Sequence, residues 1–184
     1  MPTSSAPDDR GGRRFLGFSE FKSFVRSAGD RPGETSLTSP VIDPGFPWDE
    51  LVVSWNAAPS VSLRIEAQAI YPEHETKWYV MGLWSEDPAR APRESVVKQK
   101  DDDGNVETDT LVLKRAGGKV RIRVTMVDES GSAGEQEKEQ NPLRFLGLSE
   151  RHTAQSHPIM GTPWEVPLPR IRISIGDKVK RSAR

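Results

Sequence analysis

Val120, Ile122, Val124 and Met126 alternate with Arg121, Arg123 and Thr125. Successive side chains of a β-strand point to opposite faces, so this run has one face for a core and one for water. The same alternation sets Leu63, Ile65, Ala67 and Ala69 against Arg64, Glu66 and Gln68 within Ser62–Tyr71. Leu51, Val53 and Trp55 share one face of a third run, with Val52, Ser54 and Asn56 on the other. Trp78–Trp84 and Leu143–Leu148 add two strands. Leu111 and Leu113 open another, which the spacing predicts to turn at Gly117-Gly118 into the Val120 strand as a tight hairpin.

No segment carries a convincing long helix. Residues 15–25 are ambiguous, because Phe18, Phe21 and Val25 also fit a helical stripe. Many short strands separated by turn residues specify an all-β, antiparallel β-sandwich or jelly-roll-like fold. A length of 184 residues suits one domain. The sandwich is assigned to residues 13–150. A leader rich in Pro, Ser, Asp and Gly over 1–12 is expected to be disordered. Residues 128–142 form a long polar loop, and 151–184 an irregular linker and basic tail.

One heptapeptide occurs twice. Arg14–Glu20 reads RFLGFSE and Arg144–Glu150 reads RFLGLSE, identical at six of seven positions. Two copies so far apart do not make a repeat array. The expectation is that both are strands, pairing as the first and a late strand of the sandwich.

Composition removes several functions. Lys and Arg number 26 against 27 Asp and Glu, a net charge of −1. A nucleic-acid partner is not expected, because phosphate binding needs a basic surplus on some face. The longest apolar stretches, such as Tyr79–Trp84, are far too short to cross a bilayer, so no membrane partner is expected. Residues 1–9 lack the apolar centre of a signal peptide, although a start codon called too late could hide one. The compartment is therefore left open. There is no cysteine, hence no disulfide, thiolate metal site or cysteine nucleophile.

The remaining motifs fall short of chemistry. The acidic run Asp101–Asn105 carries its glycine fourth, whereas an EF-hand loop needs it sixth; a polar hairpin turn with Gly104 at positive φ is the simpler reading. His74, His152 and His157 lack zinc-site spacing. Gly17-Phe18-Ser19 and Gly147-Leu148-Ser149 do not complete a nucleophile elbow, because Phe21 and Arg151 stand where its last glycine belongs. No cofactor is expected.

The tryptophans are more informative. Trp78, Val80, Gly82 and Trp84 share one parity, and Tyr79, Met81 and Leu83 the other. Both faces are apolar, so the strand is either central and covered on both sides, or covered on one and used on the other. Trp78 and Trp84, with Arg64 and Gln68 on a neighbouring strand, would make a ligand surface for a peptide or a sugar. Core burial is the competing fate for Trp55, Trp78 and Trp84.

An ordered set of segments resembles a known family. Thr38–Ile42, Phe46–Ala57, Trp78–Glu86, Asp102–Gly104 with Thr108–Leu111, and Leu143–Ser149 are similar to the N-terminal β-sandwich region of bacterial peptidase_C39 family proteins. Trp164–Pro169 resembles the linker that follows it, so the similarity spans roughly residues 35–169. The resemblance implies a papain-like cysteine peptidase domain beyond the sandwich, with a Cys nucleophile, a His base and an orienting Asp or Asn. None of those residues can be carried over to a chain without cysteine. Residues 170–184 depart from the family pattern, as a shifted reading frame or as an ending of their own.

The resulting expectation is a non-enzymatic, accessory sandwich of a cysteine-peptidase-like protein, truncated or stand-alone. It would recognise a peptide, a glycan or a partner domain, including a papain-like peptidase domain in cis or in trans. The candidate contacts are Trp78, Trp84, Arg64 and Gln68. The alternative is an independent carbohydrate-binding module.

Overall fold

The computed structural model describes residues 12–59, 61–85, 87–89, 95–128 and 141–153. The expected leader (save Gly12), most of the polar loop, and the linker and tail from 154 onward lie outside the described residues. Ten strands follow in order: β1 (Arg13–Phe18), β2 (Val25–Ala28), β3 (Glu34–Thr38), β4 (Trp48–Ala57), β5 (Val61–Ile70), β6 (Tyr79–Trp84), β7 (Gly104–Glu107), β8 (Thr110–Gly117), β9 (Lys119–Asp128) and β10 (Leu143–Arg151). They form two five-stranded sheets, β1-β10-β4-β8-β7 and β2-β3-β9-β5-β6, and every pairing is antiparallel. The all-β, two-sheet fold agrees with the alternation.

The core is the set of inward parities. Ile65 lies across from Val124 and Ala67 across from Ile122, and all four are buried. The other sheet contributes Leu51, Val53, Leu111, Leu113, Leu146 and Leu148. Each large aliphatic side chain so buried stabilises the fold by about 1.5–3 kcal/mol. Most polar residues of the same strands face outward, as the period of two demands; Glu150 of β10 does not.

The two heptapeptides pair. Gly17 faces Gly147, Leu16 faces Leu148, Phe15 faces Ser149 and Arg14 faces Glu150. The glycines make room for rings on the outer face. A Cβ on Gly147 would lie 2.8 Å from the Phe15 ring, and one on Gly17 would lie 3.1 Å from the Phe145 ring. The two rings stack with centroids 6.4 Å apart. The helical-looking spacing at residues 15–25 is instead a strand followed by a turn. Phe18 and Phe21 both meet Phe24 edge-on, with centroids 5.6 and 5.1 Å away.

Three local expectations are corrected. Gly117-Gly118 is not a hairpin: β8 belongs to one sheet and β9 to the other, so the glycines form a corner between them. Leu113 and Val120 are both buried, on opposite sheets, and only a corner satisfies both. Gly117 also passes close to the core, where a Cβ would stand 3.1 Å from Leu113 and 3.6 Å from the Trp48 ring.

The hairpin turn near the acidic run falls later than expected, at Thr108-Asp109 between β7 and β8, with Thr108 at φ 61°. Gly104 starts β7 instead, because a Cβ there would lie 2.6 Å from the Val112 carbonyl oxygen.

Finally, β6 is an edge strand, not a central one. The Gln99 side chain stands in for the next strand. Its Oε1 accepts from the Val80 N–H at 2.7 Å and its Nε2 donates to the Val80 carbonyl at 2.8 Å. Such a cover satisfies backbone groups that an open edge would leave unpaired.

Candidate functional site

The outward parity of β5 and β9 builds a polar platform. Their register sets Arg64 across from Thr125, Glu66 across from Arg123, and Gln68 across from Arg121. Glu66 is only 2% exposed. A carboxylate removed from water costs several kcal/mol unless it is paired. Two guanidinium groups supply that pairing: Arg64 Nη2 lies 2.8 Å from Oε1, and Arg123 Nε donates to Oε2 at 2.7 Å. The Arg123 guanidinium also covers one face of the half-buried Trp78 ring, 4.4 Å from its centroid. That cation–π contact fixes the guanidinium plane.

Gln68 is held equally firmly. Its Nε2 donates to the Thr76 carbonyl at 2.8 Å, and its Oε1 accepts from Arg121 Nη1 at 3.2 Å. Arg121 Nη1 also reaches Glu75 at 3.3 Å. Beyond β9, the Ser36 and Thr125 hydroxyls share a hydrogen bond of 2.9 Å.

The structure therefore brings Arg64, Gln68 and Trp78 to one face. Trp84 is elsewhere. Ile65 pairs with Gly82 but Glu66 pairs with Val80, so Met81 is an extra residue in β6. A bulge of this kind reverses parity along the strand. Trp84 consequently lies across from Leu63 and packs against the core, where Trp55 also packs, its ring 3.2 Å from where a Gly82 Cβ would be. The expected common face for Trp78 and Trp84 is corrected on this ground. Glu66 and Arg123, which organise the platform, were not among the expected contacts. Their signal was opposite charge at matching positions of two alternating strands, readable only once the register is known.

The acidic run serves as an internal brace. Asp101 Oδ1 accepts from the Tyr79 hydroxyl at 2.5 Å and from the amides of Asp103 and Gly104 at 3.0 Å, while Lys77 lies 3.0 Å from Oδ2. Burial alone would raise the Asp101 pKa, but these hydrogen bonds outweigh it and hold the carboxyl at about 2. Burial and the Asp101 carboxylate raise the Tyr79 hydroxyl in turn. His74 joins Asp103 at 2.8 Å and stacks on Tyr71 at 4.9 Å, and His152 reaches Asp49 at 3.2 Å. His157 lies outside the described residues. Among the described residues no three His, Asp or Glu side chains converge as a metal site.

One more ionisable group is buried. Glu150 sits on the inner face of β10 with 0% exposure, and neither carboxylate oxygen has a hydrogen-bond partner among the described residues. Burial pushes its pKa up to about 7; the Arg14 guanidinium opposes this by a smaller amount, and the Asp43 carboxylate adds to it.

The fold is thus a two-sheet antiparallel β-sandwich, in a chain without cysteine, with an Arg/Glu/Trp platform on the outer face of one sheet. Residues 31–138 match the Peptidase C39 N-terminal domain, and the chain belongs to this family. The match runs from β3 through β9, so β1, β2 and β10 complete the two sheets from outside it. No curated protein matches the chain.

Proposed function

We propose that this chain is an accessory module that holds a polypeptide against the outer face of β5, β6 and β9. The partner is a peptide segment or a papain-like peptidase domain, joined in cis or met in trans. One observation carries the reading: the nearly buried Glu66 fixes two arginines side by side, one of them against Trp78. Arginine and tryptophan are the residue types that most often dominate protein interfaces. Because their geometry is already fixed, a partner pays less ordering entropy on binding. Arg64 keeps half its side chain exposed and is available to a partner carboxylate or carbonyl.

The carbohydrate reading has less support. A sugar platform wants open aromatic faces on one side of the sheet. Trp78 has one face under Arg123, and Trp84 packs inward.

Isothermal titration of the full chain with a purified papain-like C39 peptidase domain tests the proposal. Binding is expected, and Arg64→Ala should weaken it about tenfold, the size of one interfacial charge-assisted contact. Equal affinity for Arg64→Ala and the native chain, or no heat at several hundred micromolar (roughly the weak limit for specific pairs), contradicts it. Saturable heat from oligosaccharide instead would turn the reading to a sugar-binding module.

A further inference from the structure

We propose that β1 is a self-pairing edge. Two copies of this chain join antiparallel through β1, with Gly17 of one facing Gly17 of the other across a two-fold axis.

Within its own sheet β1 already pairs with a near-copy of itself. The sequence RFLGLSE of β10 lies antiparallel to RFLGFSE of β1 and its continuation, in a register centred on Gly17 and Gly147. Read in opposite directions, this heptapeptide complements itself: Arg meets Glu, Phe meets Ser, Leu meets Leu or Phe, and Gly meets Gly. The β1 copy differs from the β10 copy at one position, Phe18 in place of Leu148. A second β1 therefore offers β1 almost the same partner that it has within its own sheet. In that register Arg14 faces Glu20 of the second copy, Phe15 faces Ser19 and Leu16 faces Phe18. The charge pairing occurs twice, once on each side of the axis.

The position of β1 makes this available. It ends its sheet, and among the described residues no strand lies on its outer side. Such an edge presents unpaired N–H and C=O groups to any strand of matching register. Two of the devices that block an edge are missing from it: Arg13–Phe18 contains no proline and no bulge against β10, and one of its two charges, Arg14, is the residue that Glu20 of a second copy would face. Phe15 is 53% exposed although it already leans over Gly147. Glu20 is exposed and pairs with the exposed Lys22 at 3.2 Å, so turning it toward a second copy breaks only a surface ion pair among the described residues. A contact that repeats the same patch on both copies closes as a two-fold dimer and does not grow into a fibre.

Sedimentation equilibrium of the full chain tests the proposal. The mass is expected to double from 20.5 kDa as concentration rises into the micromolar range. Glu20→Arg sets like charges against Arg14 at both ends of the contact and should weaken the dimer by tenfold or more. Its circular dichroism and melting as a dilute monomer should match the native chain. Because the chain has no cysteine, Ser19→Cys gives a single spin-label site. Two labels four residues apart along paired strands should sit with their Cα atoms about 14 Å apart. A chain that stays monomeric near 1 mM (roughly the weakest useful affinity) overturns the proposal. So does a dimer that Glu20→Arg leaves intact, or a label separation well beyond 25 Å (roughly twice the expected span). If Glu20→Arg fails to fold, the label distance decides.

Discussion

Arg123 Nε donates to Glu66 Oε2 at 2.7 Å across β9 and β5, and the same guanidinium lies over Trp78. The contact joins β9, β5 and the residue that precedes β6 through one side chain. It makes a nearly buried carboxylate the organiser of an otherwise solvent-facing surface. Removing it should be felt in both stability and shape.

Glu66→Ala leaves Arg64 and Arg123 side by side without their counter-ion. The arginines are partly exposed, so the loss should sit at the low end for a broken buried pair, about 2–3 kcal/mol. Denaturant unfolding reads this directly. Tryptophan emission should also change before unfolding, as Arg123 leaves the Trp78 ring. A loss below about 0.5 kcal/mol, the level of a surface pair, would mean that Glu66 does not organise the face.

Glu150 predicts a pH dependence of definite sign. Its folded pKa is about 7 against an ordinary value of 4.5, so the folded state holds its proton more tightly than the unfolded state. The stability is fully present below about pH 4.5 and falls as pH rises to about 7, by about 3 kcal/mol. Asp101 has the opposite sign, and its contribution disappears only as pH falls from 3.8 toward 2. Glu150→Gln should therefore flatten the slope between pH 4.5 and 7 and melt higher than the native chain at pH 8. An unchanged slope in that variant rules Glu150 out as its source.

Gly147 has no space for a side chain. A Cβ would stand 2.6 Å from Ser54 Oγ and 2.8 Å from the Phe15 ring. Gly147→Ala should cost about 1–3 kcal/mol, the usual cost of overpacking. Phe15→Ala in the same chain should recover part of that loss, because it removes one of the two clashes. A thermodynamic cycle of the two changes measures the coupling, and strict additivity would show that the ring does not press on Gly147.

The alternation of β5 and β9 was legible because it is local: one parity is apolar, the other polar, and no knowledge of partners is needed. The pairing of β1 with β10 was legible for a different reason, since one heptapeptide occurs twice. The corner at Gly117-Gly118 was not legible. Two glycines between strands suit either a hairpin or a change of sheet, and the choice rests on where Leu113 and Val120 find their cores.

The same division holds at the site. Arg64, Gln68 and Trp78 could be named from parity, whereas the extra residue at Met81 that separates Trp84 from them leaves no local mark. The Glu66–Arg123 pair and the Gln99 cover of β6 depend on register and on a side chain far away in sequence. Glu150 ended an echo motif whose pairing was foreseen. That its carboxyl lies between the sheets was not foreseen, because glutamate seldom occupies an inward position.

The central claim is that a polypeptide docks on the outer face of β5, β6 and β9. The most direct measurement maps amide and indole shifts of the isotope-labelled full chain while an unlabelled papain-like C39 peptidase domain is added. The account predicts that the largest changes fall on the Trp78 indole and the Arg64 and Arg123 guanidinium N–H groups, with Gln68 beside them. Changes confined to the opposite sheet, around Phe15 and Phe145, would contradict it.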